Sequence, residues 1–198
     1  MVFTVLLAIA SALVFGGVML YRTLFMHEQL GTLSSAGNDE VLSRLLEISD
    51  YSRSGARMSS AKGVVIHEVA SPGTSAMEQR NYYNSLGTTK ANHMSSHFIV
   101  DLDGKIVQCI PVNEQALANG ARNADTLAIE FCYPSEGKEP SGETYSALVK
   151  LTATLVNRFG LTADQIYRHS DISSHSEIVC PTYFQDESLW QSFLGEVM

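Results

Sequence analysis

Hydrophobic positions change rhythm along the chain. Val2 to Tyr21 carry no charge. At about 1.5 Å per residue such a run crosses the roughly 30 Å hydrocarbon core of a bilayer as a helix. A cleaved signal peptide is the competing reading, but no basic segment precedes the run and the small-x-small site Ala8 to Ala10 falls early. Gly31 to Asn38 (GTLSSAGN) reads as a linker. From Asp39 to Tyr51 the spacing of Leu42, Leu45, Leu46 and Ile48 predicts a short helix.

Beyond Arg57 strand and helix signals alternate, which predicts an α/β domain with a central mixed sheet flanked by helices. Val64 to His67 reads as a strand, and Ser75 with Glu78 forms a capping box that opens a helix reaching about Leu86. Phe98 to Val100 and Lys105 to Ile110 flank Asp101-Leu-Asp-Gly104, a hairpin signature, and Leu127 to Phe131 is a further strand. Leu148, Leu151, Leu155 and Phe159 recur at three- and four-residue spacing in a helix closed by Gly160. A tail helix carries Leu189, Trp190 and Phe193. The expected division is an anchor over 1–25, a linker and short helix over 26–56, and one catalytic domain over 57–198.

Composition narrows the function. The 198-residue chain has a formal net charge of −8, which speaks against a nucleic-acid partner, since phosphates need a basic face. Three cysteines at wide spacing, Cys109, Cys132 and Cys180, do not make a disulfide framework. Cys109 and Cys132 lie inside strand patterns and read as buried thiols. Cys180 and His169 instead fall on the loop-rich segment IYRHSDISSHSEIVCPT, and His67 ends a strand. Two imidazoles and a thiolate suit tetrahedral zinc and leave a fourth position for water. As a spacing alone, that pattern is weak and fits a surface histidine and a buried cysteine better than a ligand pair.

Four motifs, VVIHEVA, SSHFIVDLDGKIVQCIP, NADTLAIE and RHSDIS followed by CP, occur in the order and approximate spacing of the zinc-dependent N-acetylmuramoyl-L-alanine amidase type 2 family. The chain resembles that family over roughly Arg57 to Phe184. The resemblance implies a zinc ion on His67, His169 and Cys180, and Glu130 as the carboxylate that moves the proton, with a charged residue on the solvent face of a strand as the alternative for Glu130. It also implies hydrolysis of the amide between the lactyl group of N-acetylmuramic acid and L-alanine, in peptidoglycan or muropeptides. His97, after Ser96, is expected to donate to the oxyanion or bind substrate, with packing as the alternative. Asp171 is expected to orient a ligand imidazole or to serve a turn. Asn123 and Thr126 are expected in the substrate groove or in turn chemistry.

One departure matters. Many relatives carry a lysine two residues before the last ligand, where this chain has Ile178. His175 lies in the lengthened loop and could substitute. The missing lysine keeps open a second reading, a non-catalytic peptidoglycan-binding receptor. The expected location is the cell membrane, single-pass through the N-terminal helix, with the catalytic domain extracytoplasmic, although Arg22 weakly favours a cytoplasmic C-terminal side.

Overall fold

A computed structural model describes residues 31–134, 137–175 and 177–198. The expected anchor over 1–25 lies outside the described residues, and no described helix is long and apolar enough to cross a membrane. Among the described residues seven strands form one sheet: β1 (Ser35–Ala36), β2 (Asp39–Ser43), β3 (Val64–Glu68), β4 (Phe98–Val100), β5 (Ile106–Gln108), β6 (Leu127–Phe131) and β7 (Ile166–Arg168). Their order is β1-β2-β5-β4-β6-β3-β7. The β1–β2 and β4–β5 pairs are antiparallel, and the other neighbours are parallel.

Strands β3 and β6 sit inside the sheet and are buried along their whole length. Parallel strands covered on both faces require near-continuous apolar runs, which Val64-Val-Ile66 and Leu127-Ala-Ile129 supply. The polar residues of both strands, His67, Glu68 and Glu130, are all near their C-terminal ends. In open parallel sheets that edge is where ligands bind.

Helix α1 (Ala76–Thr89) packs on β4 and β5, while α2 (Gly142–Phe159) packs across β1, β3 and β4. A single-turn helix α3 (His169–Ile172) follows β7, and α4 (Glu187–Val197) lies on α2. The local signals act as expected. Ser75 and Glu78 form the capping box of α1, and Gly160 ends α2 at φ +64°. Gly104 turns the β4–β5 hairpin at φ +78°, where a Cβ would meet the Glu143 carbonyl oxygen at 2.8 Å. Only glycine permits both that conformation and that approach.

The segment before Arg57 differs from its expected form. Residues 39–43 are a strand rather than a helix, paired in parallel with β5 through Val41↔Ile106 and Leu42↔Val107. Arg44 and Leu46 extend the pairing by donating to Gln108 and Cys109 carbonyls. The expected linker contains β1 and a tight turn at Gly37, φ +59°, that returns the chain into β2. Leu33, Ala36, Val41 and Leu46 are buried, whereas Ile48 is exposed. A parallel partner in β5 overrides the weak helical spacing of four apolar residues. Arg53, also outside the expected domain, forms a buried two-pronged ion pair with Glu114 at 2.8 and 2.9 Å.

Candidate metal centre and active site

Register places the site. Within the sheet His67 lies directly beside Glu130. On its other side Ile66 pairs with Arg168, so the next residues along, His67 and His169, are neighbours one step beyond the ladder. One row across the C-terminal edges of β6, β3 and β7 therefore carries a carboxylate and two imidazoles. The two imidazole rings have centroids 4.5 Å apart. Cys180 arrives from the loop after α3, its sulfur 3.9 Å from His67 Nδ1. One donor atom from each of His67, His169 and Cys180 lies within 4.8 Å of the others.

Hydrogen bonds settle which nitrogen of His67 is available. The Thr126 hydroxyl donates to the Arg122 carbonyl at 2.6 Å, so it accepts from Asn119 Nδ2 at 2.8 Å. That leaves Asn119 Oδ1 facing His67 Nε2 at 2.8 Å. An amide oxygen only accepts, so Nε2 carries the hydrogen and the Nδ1 lone pair points toward Cys180. Burial, aided by nearby His169 and opposed by the Asn119 bond, lowers the His67 pKa to about 3. Burial also lowers His169. The Cys180 thiol is pushed up to about 12 by burial, against the pull of the Glu68 backbone N–H and the Lys138 ammonium. Two neutral imidazoles and a thiol that a cation would deprotonate fit a metal ion of zinc type.

Glu130, the two histidines and Cys180 line one cleft of about 650 Å³ together with Gln79, Tyr82 and Tyr83 of α1 and His93, Met94 and Ser95. The Tyr83 hydroxyl donates to Glu130 Oε1 at 2.5 Å, and Oε2 is buried with no hydrogen-bond partner among the described residues. Burial raises the Glu130 pKa from 4.5 to about 7, with Tyr83 and Gln79 pulling the other way. A carboxyl group poised there can both take and return a proton near neutrality.

His97 is placed elsewhere, which corrects the expectation of an oxyanion or substrate contact. It is fully buried and does not line the cleft. Its Nδ1 accepts from the Ala128 N–H at 3.0 Å and its Nε2 bonds the Glu114 carbonyl at 2.9 Å, so both nitrogens are spent joining backbone segments. Asp171 accepts from the Arg168 backbone and guanidinium, a turn role, and its carboxylate bonds no imidazole among the described residues. Asn123 and Thr126 stand behind the cleft: Asn123 accepts from Ala118 and Asn119 N–H groups, and Thr126 supports Asn119. His175 is exposed beside Glu177 and outside the donor cluster. Lys138 is paired with Glu68 and does not line the cleft. Cys109 and Cys132 are buried free thiols, as expected.

Asn119, Tyr83 and Glu68 escaped sequence reasoning. Asn119 sits in ANGARN, which reads only as a turn, and Tyr83 looks like a core aromatic of α1. Glu68 carried a usable signal, a charge at the end of an otherwise apolar buried strand.

The N-acetylmuramoyl-L-alanine amidase family model matches residues 57–183. A probable N-acetylmuramoyl-L-alanine amidase of Bacillus licheniformis is 30% identical over 155 residues, 72% of this chain and 42% of that protein. The N-acetylmuramoyl-L-alanine amidase CwlL of the same organism is 28% identical over 172 residues, 80% of this chain and 46% of that protein. The chain thus spans less than half the length of these curated relatives. Among solved structures, PlyL superposes with a TM-score of 0.67 at 23% identity, covering 80% of this chain and 96% of that one. The catalytic domain of XlyA gives 0.67 at 22% identity, covering 80% and 99%. At that identity the likeness is one of fold.

Proposed function

The chain belongs to the N-acetylmuramoyl-L-alanine amidase family, and from that premise we propose that it hydrolyses the amide between the lactyl group of N-acetylmuramic acid and L-alanine in peptidoglycan or muropeptides. His67, His169 and Cys180 would hold zinc. The observation that carries the reading is the convergence of these three donors beside the buried carboxyl of Glu130 in one cleft.

When bound, zinc supplies Lewis acidity that acidifies water and polarises an amide carbonyl. The side chains do the rest. Glu130 takes the proton of the attacking water on its unpartnered oxygen and passes it to the departing L-alanine nitrogen, because an amide nitrogen leaves poorly unless protonated. The Tyr83 hydroxyl fixes the other oxygen, so the carboxyl cannot swing away from the cleft. Asn119 keeps the hydrogen of His67 on Nε2.

We also propose that Val2 to Tyr21 tethers the domain to a membrane with the cleft on the extracytoplasmic side. The uncharged run supports the tether, and the peptidoglycan substrate supports the side.

Ile178 in the place of a lysine favours one rival, binding without turnover. The test measures zinc per chain and release of stem peptide from muropeptides for the full chain, Cys180→Ser and Glu130→Ala. The expected result is about one zinc per wild-type chain, lost in Cys180→Ser. Hydrolysis should fall by about 10²-fold or more in Glu130→Ala. Zinc and muropeptide binding with no product from the wild type would overturn the enzyme reading in favour of the binder.

A further inference from the structure

His67 and His169 are placed by strands, but Cys180 is not. It follows a stretch, residues 173–179, whose Ser174, His175, Glu177 and Val179 are exposed, so packing within that stretch does not aim the thiol. Its position comes from the residue after each histidine. Ser170, next to His169, donates its backbone N–H to the Cys180 carbonyl at 2.9 Å. Glu68, next to His67, reaches two residues past the thiol: its carboxylate accepts from the Thr182 N–H at 2.7 Å and the Thr182 hydroxyl at 2.8 Å.

That carboxylate is a costly group to use for packing alone. Its side chain is 4% exposed, and its charge is matched by Lys138 Nζ at 2.5 Å, which comes from a third segment between β6 and α2. Lys138 also reaches the Thr182 hydroxyl at 3.3 Å. A buried carboxylate holds only where several donors compensate its lost hydration, and here all the donors converge on the Cys180 turn.

We propose that Glu68 is a positioning residue for the metal centre: with Lys138 as counter-ion, it clamps the Cys180-Pro-Thr182 turn so that the thiolate meets the same ion as the two histidines. The inference rests on the metal-centre reading above. It predicts that the clamp acts on metal affinity and on thiolate coordination, and only secondarily on folding.

The test titrates zinc against a competing chelator, and records the thiolate-to-cobalt charge-transfer band of the cobalt-substituted full chain, for the wild type, Glu68→Ala, Glu68→Gln, Lys138→Met and Thr182→Val. Partners of metal ligands typically contribute 10- to 100-fold in affinity. Glu68→Ala should weaken zinc binding by about that factor and diminish the cobalt–thiolate band. Glu68→Gln, which can still accept from Thr182, should recover part of both. Thr182→Val and Lys138→Met should each show a smaller loss, and Thr182→Val decides the matter if Glu68→Ala fails to fold. Wild-type affinity and an undiminished band in Glu68→Ala or, failing its folding, in Thr182→Val would overturn the clamp, even with a lowered melting temperature. A wild-type chain that takes up neither metal would instead overturn the metal centre itself, and the clamp with it.

Discussion

Glu130→Gln tests the electrostatics of the cleft without requiring turnover. Burial lifts this carboxyl from 4.5 to about 7. A group whose folded pKa lies above its unfolded value binds more protons folded than unfolded throughout that interval. Stability is therefore full below about pH 4.5, falls as pH rises to about 7, and is level above. At about 1.4 kcal/mol per pK unit the whole interval amounts to about 3 kcal/mol. His67 acts in the opposite sense, since its pKa is lowered from 6.5 to about 3. Its neutral burial contributes stability that is present above about pH 6.5 and lost as pH falls toward 3. The wild-type profile mixes both slopes, but His67 cancels in the difference between wild type and Glu130→Gln. Gln also keeps an acceptor for Tyr83. Denaturant unfolding of the metal-free full chain between about pH 5 and pH 8 should show the variant gaining about 2 to 3 kcal/mol on the wild type, most of it below pH 7. Zinc should shrink that gain, because a nearby cation favours the carboxylate. Profiles that stay parallel to within about 0.5 kcal/mol would refute the raised pKa, and with it Glu130 as a proton carrier tuned by burial.

Two further outcomes follow from contacts outside the donor set. Asn119→Ala removes the acceptor that holds the hydrogen on His67 Nε2, so zinc affinity measured by chelator competition should drop by about 10- to 100-fold, and the buried N–H left without an acceptor should cost about 1 to 3 kcal/mol in denaturant unfolding. Arg53→Met removes the buried two-pronged ion pair with Glu114, which should cost about 3 to 5 kcal/mol in denaturant unfolding; zinc per folded chain should stay at the wild-type level.

Much of the fold was legible because its signals are local. Ser75 with Glu78, the Gly104 turn and the Leu148-Leu151-Leu155 stripe each specify an element without reference to distant chain. Residues 39–43 were misread for the opposite reason. Their conformation is decided by β5, more than sixty residues further along, and a stripe of four apolar residues satisfies either period. His97 belongs to the same class of error. A histidine at a strand start looks available until its neighbours are known, and here an Ala128 N–H and a Glu114 carbonyl consume both nitrogens.

The site divides along the same line. The row Glu130, His67, His169 is a consequence of parallel register: once β6, β3 and β7 are neighbours, the residues at their C-terminal edges must meet. Strand patterns therefore carry that part of the site, and motif order supplies which strands are concerned. Cys180 has no strand to inherit a position from, so its placement depends on Glu68, Ser170 and Thr182, whose types say nothing of their partners. A cysteine delivered by a loop is thus, in the proposed metal centre, the donor most exposed to change in residues outside the donor set. The same argument explains why Asn119, another turn residue, matters to His67: the sheet fixes where the imidazole sits, and the turn fixes which of its nitrogens is free.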